Sequence, residues 1–294
     1  MKIIDILNRC DFSLSFEVFP PKTDTSFDSV QAAVREIAKL RPPFMSVTYG
    51  AGGGRSRYTL EIAEEIKQNY GVESLAHLTC ISSTHEDVHK EIESIQNAGI
   101  ENIMALRGDV PPGMEQEDRS GWAYHHAVEL IREIKEFAPD MCIGGACYPE
   151  VHPESVNQKE DIRYLKEKIE TGCDFLTTQM FFDNNLLYNF LYKIREAGIT
   201  VPVVAGIMPI TNANQVERAV KLSGSFMPQR FKALVDTFGS DPAAMCEAGI
   251  AYATDQIIDL FANNVTNVHV YSMNKPMVAQ KIQSNLSAIL GKTI

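Results

Sequence analysis

The chain has 294 residues, 45% of them hydrophobic and 22% charged, with a formal net charge of −11. This is the profile of a soluble globular protein with a sizeable core. It excludes a membrane span, because no apolar run approaches the ~18 residues one needs, and a general nucleic-acid binder, which needs a basic face.

Residues 13–19 (SLSFEVF) are apolar and aromatic and stop at two prolines, which predicts a strand. Residues 27–40 place Val30, Ala33, Val34, Ile37 and Leu40 at helical spacing. Residues 44–49 (FMSVTY) read as the second strand, closed by the glycine-rich turn 50–54. A helix at 58–70, a strand at 74–80 (SLAHLTC) and a helix at 85–98 follow, with Ser83 or Thr84 as N-cap. Residues 102–106 form a short buried strand that runs into ALRGDVPPG, where two prolines stop regular structure. Next come a helix at 124–137, a strand at 141–148 (MCIGGACY) and a helix at 159–170 ended by Gly172. A strand at 175–182 (FLTTQMFF), a helix at 186–197 and a strand at 201–208 (VPVVAGIM) continue the alternation. Helices at 213–222, 228–238 and 243–262 precede the last strand, 268–273 (VHVYSM). The last helix, 276–290, carries Pro276 in its first turn, where proline is tolerated.

Eight strands thus alternate with eight or more helices, and the strands read as apolar along their length, as in a parallel sheet covered on both faces. Order, count and length predict an α/β fold, a (β/α)8 TIM barrel, with residues 1–294 as one catalytic domain. An open doubly wound sheet is the alternative, but no G-x-G-x-x-G follows the first strand. The 50–54 turn also lacks the Lys-Ser/Thr of a P-loop. The N-terminal MKIIDILNRCDF includes Asp5 and Asp11 and does not resemble a secretion signal. The six cysteines are scattered with no C-x-x-C pair, which fits buried thiols in a reducing cytoplasm and predicts neither a disulfide framework nor a metal site.

A barrel places its site at the C-terminal ends of the strands. Those ends carry Glu17, then Thr48 and Tyr49, His77 and Thr79, Arg107 and Asp109, Tyr148 and His152, Gln179, and Tyr271 and Asn274. Phe16, Val18 and Phe19 surround Glu17, so desolvation should raise its pKa and keep it protonated near neutrality, as a general acid requires. Asp109, close to Arg107, is expected to be ionised; two acids in different surroundings divide the labour. Tyr148 is placed to stack on a flat ligand and His152 to donate to it. Asp161 and Lys168 share one face of the following helix, which suits a ribose and a pyrophosphate. No strand ends in lysine, against a Schiff-base aldolase, and no nucleophile elbow is visible. The set favours redox or proton chemistry on a flat organic cofactor.

The segments SFEVFPPK, SVTYGAGG, HLTC, ALRGDVPPG, YPEVHPE, the D-x-x-x-L-K-x-K run at 161–168, TQMFFD, GIMPI and YSMNK resemble, in order, those of the methylenetetrahydrofolate reductase family. The match covers nearly the whole chain and looks like the short bacterial form. The resemblance implies a barrel holding non-covalent FAD, reduced by NADH or NADPH, that passes hydride to 5,10-methylenetetrahydrofolate. By position it implies Glu17 as general acid, Asp109 as the carboxylate near flavin and pterin, Gln179 and Gln215 as folate contacts, and Thr48 as a nicotinamide contact. For FAD it implies Tyr49, Ala51, His77, Arg107, Gly108, Asp109, Tyr148, His152, Asp161 and Lys168. Lys275 stands where an arginine often meets folate, Glu167 where an arginine is expected, and Ala219 where some members stack a phenylalanine, a contact that Phe226 is placed to supply. A homo-oligomer in the cytoplasm, acting on a small-molecule folate, is the expected setting. The reading from a different class is a folate- or flavin-binding subunit of a larger redox complex, with a partner or ferredoxin as donor.

Overall fold

Eight parallel strands pair in chain order, and the last returns to the first. They are β1 (Ser13–Val18), β2 (Phe44–Val47), β3 (Glu73–Thr79), β4 (Asn102–Leu106), β5 (Cys142–Cys147), β6 (Phe175–Thr178), β7 (Val203–Ile207) and β8 (Asn267–Tyr271). The computed structural model describes residues 1–21, 27–49, 56–110, 114, 120–291 and 294. The helices are α1 (Ile3–Arg9), α2 (Phe27–Ala38), α3 (Ser56–Tyr70), α4 (His85–Asn97), α5 (Ala127–Phe137), α6 (Gln158–Thr171), α7 (Asn184–Glu196), α8 (Asn214–Ser223), α9 (Gln229–Phe238), α10 (Pro242–Ala262) and α11 (Pro276–Leu290). The expected (β/α)8 barrel is the observed fold.

The local chemistry explains the elements. Thr84 caps α4 by accepting the Asp87 N–H, while the Asp87 side chain takes the Thr84 N–H. Val88, Ile92 and Ile95 then line the buried face of that helix. The expected strand at 175–182 ends early, at Thr178. Phe181 and Phe182 leave the sheet and are fully buried beside it.

Two features depart from the sequence reading. The strands are not apolar on both faces. Their outward residues, among them Leu14, Phe16, Val18, Met45, Val47, Ile103 and Val270, pack under the helices. Alternation turns Ser15, Ser46, His77, Thr177 and His269 inward, where they are buried. The second departure is α1, which was not predicted. It lays Ile3, Ile6 and Leu7 against Phe44, Leu75, Met104, Cys142, Phe175 and Val204, closing the barrel's N-terminal end. The Ile3 N–H donates to Asn102 Oδ1 at 2.7 Å, and the Asn102 amide donates to the carbonyls of Met1 and Ser74.

Between β7 and β8 the chain makes a helical excursion, α8 to α10, around a satellite core that includes Phe182, Ile210, Ala219, Phe231 and Tyr252. Gly206 in β7 leaves room inside the barrel: a Cβ there would lie 2.4 Å from both the Thr178 carbonyl and the Tyr271 hydroxyl.

Candidate active site

Glu17 sits near the end of β1, opposite Tyr271 of β8 and Ser46 of β2. Its side chain is 20% exposed. Burial pushes its carboxyl up to about 8, so it holds a proton at neutral pH. His77 Nε2 of β3 lies 3.9 Å from Glu17 Oε2, too far for a hydrogen bond. That nitrogen is buried and has no hydrogen-bond partner among the described residues. Burial also lowers His77 to about 4, so its ring is neutral. The mouth therefore holds a protonated carboxyl and an imidazole nitrogen with unfilled hydrogen-bonding capacity.

The backbone that carries Glu17 is fixed by the turn after β8. Ser272 Oγ donates to the Glu17 carbonyl at 2.6 Å. Asn274 accepts the Phe19 N–H at 3.0 Å and donates to the Phe19 carbonyl at 2.9 Å. Met273 and Asn274 both adopt left-handed backbone, φ 53° and 52°, a strain that these hydrogen bonds hold in place. Below the mouth, His269 is fixed by Ser15 Oγ at Nδ1 (2.7 Å) and Ser46 Oγ at Nε2 (2.8 Å). Burial, with a smaller contribution from His77, lowers His269 to about 3.

Just past β4, Arg107 finds its partner in the loop after β5. The Arg107 guanidinium forks onto both oxygens of Glu154, with Nη2 2.9 Å from Oε1, and Asp109 is left exposed at the rim. Two residues apart on a turning strand end, Arg107 and Asp109 diverge, whereas the β5 loop brings Glu154 into the plane of the fork. Gly108 joins them with φ 87°, and a Cβ there would lie 2.9 Å from Thr79 Cβ. Only glycine lets the backbone pass this close.

On the β5 side, Tyr148 meets His152 edge to face at 4.6 Å, and the Gln179 side chain hydrogen-bonds Tyr148. Asp161 and Lys168 share one face of α6, as expected, and that face is turned to β5 and the loop after it. Asp161 accepts the His152 N–H (3.1 Å) and the Ser155 hydroxyl (3.2 Å), which shapes the β5 loop. Lys168 turns inward and donates to the Ala146 carbonyl at 2.8 Å; burial lowers its pKa. Thr48 continues β2 by donating its N–H to the Val18 carbonyl at 3.0 Å, and Tyr49 packs on the main core. Lys275 and Gln215, distant in sequence, meet through Thr211. Ala51 lies outside the described residues, as do the 50–54 turn and the prolines Pro111 and Pro112.

Ala219 is not at the mouth. It is 3% exposed, within the satellite core. Sequence reasoning missed Glu154, Thr211 and Ser272. Each follows a strand end by a few residues, which was a usable signal, but their partners come from other strands. It also passed over HEDVH at 85–89, a run with the spacing of a metal-binding helix. His85 and His89 instead both pair with Glu133, at 2.7 and 2.8 Å. Among the described residues no group of three or more His, Cys, Asp or Glu could hold a metal ion. Among them, too, no helix is long and apolar enough to cross a membrane.

A family profile described as methylenetetrahydrofolate reductase matches residues 2–287. The chain belongs to the methylenetetrahydrofolate reductase family. It is 33% identical over 270 residues to the 5,10-methylenetetrahydrofolate reductases of Salmonella typhimurium and Escherichia coli, which covers 92% of this chain and 89% of each of theirs. It is 31% identical over 303 residues to methylenetetrahydrofolate reductase (NADH) 1 of Arabidopsis thaliana, covering 98% of this chain and 51% of that protein. The chain thus spans about half the length of its plant relatives. A solved structure of an uncharacterized Clostridium thermocellum protein, which binds two copies of 5-methyl-5,6,7,8-tetrahydrofolic acid, superposes with a TM-score of 0.63 at 12% identity. That match covers 98% of this chain and all of the other, and shows the fold alone.

Proposed function

We propose that this chain reduces 5,10-methylenetetrahydrofolate to 5-methyltetrahydrofolate, with non-covalent FAD and with NADH or NADPH as donor. The observation that carries the reading is Glu17, a carboxyl that keeps its proton to about pH 8 at the barrel mouth and faces the unpartnered Nε2 of His77. The residues fit a flavin. Gly108 lets the strand end pass close over Thr79, His77 Nε2 has no hydrogen-bond partner among the described residues, and Tyr148 supplies an aromatic ring on the β5 side. These residues, with Thr48, Tyr49, Ala51, Arg107, Asp109, His152, Asp161 and Lys168, would hold the FAD and the nicotinamide. FAD, when bound, supplies hydride transfer between the nicotinamide and the folate.

The chain's own part is proton and charge management. The Glu17 proton goes to N10 of the folate as the methylene–N10 bond opens. The positive charge then lies on N5 as an iminium, which the Asp109 carboxylate stabilises. Gln179, Gln215 and Lys275 orient the folate, and the clamp from Ser272 and Asn274 keeps the Glu17 backbone in place. A cytoplasmic homo-oligomer belongs to the same proposal and is read by light scattering.

The test is spectroscopic. The purified protein should show flavin absorbance that bleaches with NADH or NADPH and returns with methylenetetrahydrofolate. A colourless protein that takes up no FAD ends the reading. Flavin binding with no turnover by either nicotinamide favours the redox-complex subunit instead.

A further inference from the structure

We propose that Glu154 is a positioning residue: its carboxylate takes the Arg107 guanidinium and so leaves the Asp109 carboxylate without a counter-ion at the barrel mouth. The inference rests on the proposed flavin chemistry and concerns what sets the charge beside the flavin.

Arg107 and Asp109 are separated by one residue, and opposite charges so close in the chain would pair if nothing else held them. Here the guanidinium is held elsewhere. Nη1 and Nη2 each donate to one oxygen of Glu154, Nη2 at 2.9 Å, and Nε donates to the Gly108 carbonyl at 3.3 Å. The Arg107 carbonyl accepts the Cys80 and Ile81 N–H groups at 3.2 and 2.8 Å, which fixes the backbone beneath the side chain. The acceptor is fixed as well. The Glu154 N–H donates to His152 Nδ1 at 3.1 Å, and the Ser155 N–H donates to the His152 carbonyl at 2.9 Å. Asp161 in turn accepts the His152 N–H, so α6 anchors the loop that carries Glu154. Both partners are therefore set in place, unlike an ion pair between two free surface side chains. The Arg107 guanidinium holds the Glu154 carboxyl below the usual carboxylate range. Asp109 is exposed and forms no ion pair among the described residues.

The consequence is electrostatic. A bare carboxylate beside the flavin opposes its reduction to an anion and favours a cationic folate. Paired with Arg107, Asp109 would do neither. Glu154 thus sets the charge at the mouth by occupying the neighbouring cation, without touching the reacting atoms itself.

The experiment is a double-mutant cycle read as the flavin midpoint potential of the FAD-loaded chain, measured against a reference dye with no nicotinamide or folate present. Glu154→Ala frees Arg107 to turn to Asp109 and should raise the potential by about 30 mV, a tenfold change in the two-electron equilibrium. In an Asp109→Asn background the same substitution should change that equilibrium by less than about twofold. Only the direct effect of the Glu154 charge remains there, whereas a merely structural role would move both backgrounds alike. Should Glu154→Ala hold FAD too weakly, Glu154→Gln, which keeps an acceptor but no charge, is read in the same cycle. An unmoved potential, or equal shifts in both backgrounds, overturns the inference and leaves the reductase reading standing. A chain that takes up no FAD ends both.

Discussion

Glu17 and His77 hold their protons in the reverse of the usual order: the carboxyl keeps one to about pH 8 and the imidazole stays bare down to about pH 4. Burial causes both, because each neutral form is the one a low-dielectric interior tolerates. Glu17→Gln should therefore keep flavin reduction by the nicotinamide and lower the folate half-reaction by about 10²-fold or more, read by stopped-flow absorbance. Stability should follow the same groups. Folded Glu17 binds a proton that the unfolded chain releases near pH 4.5, so its contribution is complete below that pH and is lost as pH rises to about 8. His77 and His269 act in the opposite sense. Neutral when folded but protonated when unfolded below pH 6.5, they reduce stability as pH falls toward about 4 and about 3. Urea midpoints across pH should then show two falling limbs, and Glu17→Gln should flatten the alkaline limb alone. A Glu17→Gln profile that matches the wild type would refute the assigned proton. Glu17's protonated state was legible in the sequence but not its cause: Phe16 and Val18 turn outward under the helices, and Glu17 is desolvated on the inner face among residues from neighbouring strands. The unpartnered His77 nitrogen was not legible, since it depends on what the neighbouring strands bring near it.

Elements position these groups, and the α8–α9 connector is the clearest case. Both Glu150 oxygens accept the Phe226 N–H, at 3.0 and 2.9 Å, and Ser225 Oγ donates to the Met180 carbonyl at 2.8 Å. The connector is thus stapled to the loops that carry Tyr148 and Gln179. Phe226 itself is 53% exposed, whereas Ala219 is buried beneath. Phe226→Ala should raise KM for the folate several-fold, with stability changed by no more than about 0.5 kcal/mol, as for a surface residue. An unchanged KM would remove Phe226 from the site. Helical periodicity revealed α8, α9 and α10, because each buries one apolar stripe. It could not say that α8 turns Ala219 inward. The α1 helix was missed although Ile3, Ile6 and Leu7 have the right spacing, because so short a run seldom stands without tertiary support.

At the scale of the molecule, the barrel is legible from the alternation of strand and helix, since eight parallel strands of this length have few other ways to bury both faces. The polar interior was not. In strands so short, the inward serines and histidines are a minority among apolar outward neighbours, and they pair only across the closed sheet. The base depends on α1. Ile3 is fully buried, and Ile3→Ala should destabilise the fold by about 2–5 kcal/mol, seen as a lowered urea midpoint. Because that helix corks one end, the described residues leave the opposite mouth as the doorway to the barrel. On the proposed reductase reading, we expect electron donor and electron acceptor to use that mouth by turns, the first leaving before the second arrives. Double-reciprocal plots at several fixed concentrations of the other reactant should accordingly run parallel; lines that converge would mean that both fit inside together.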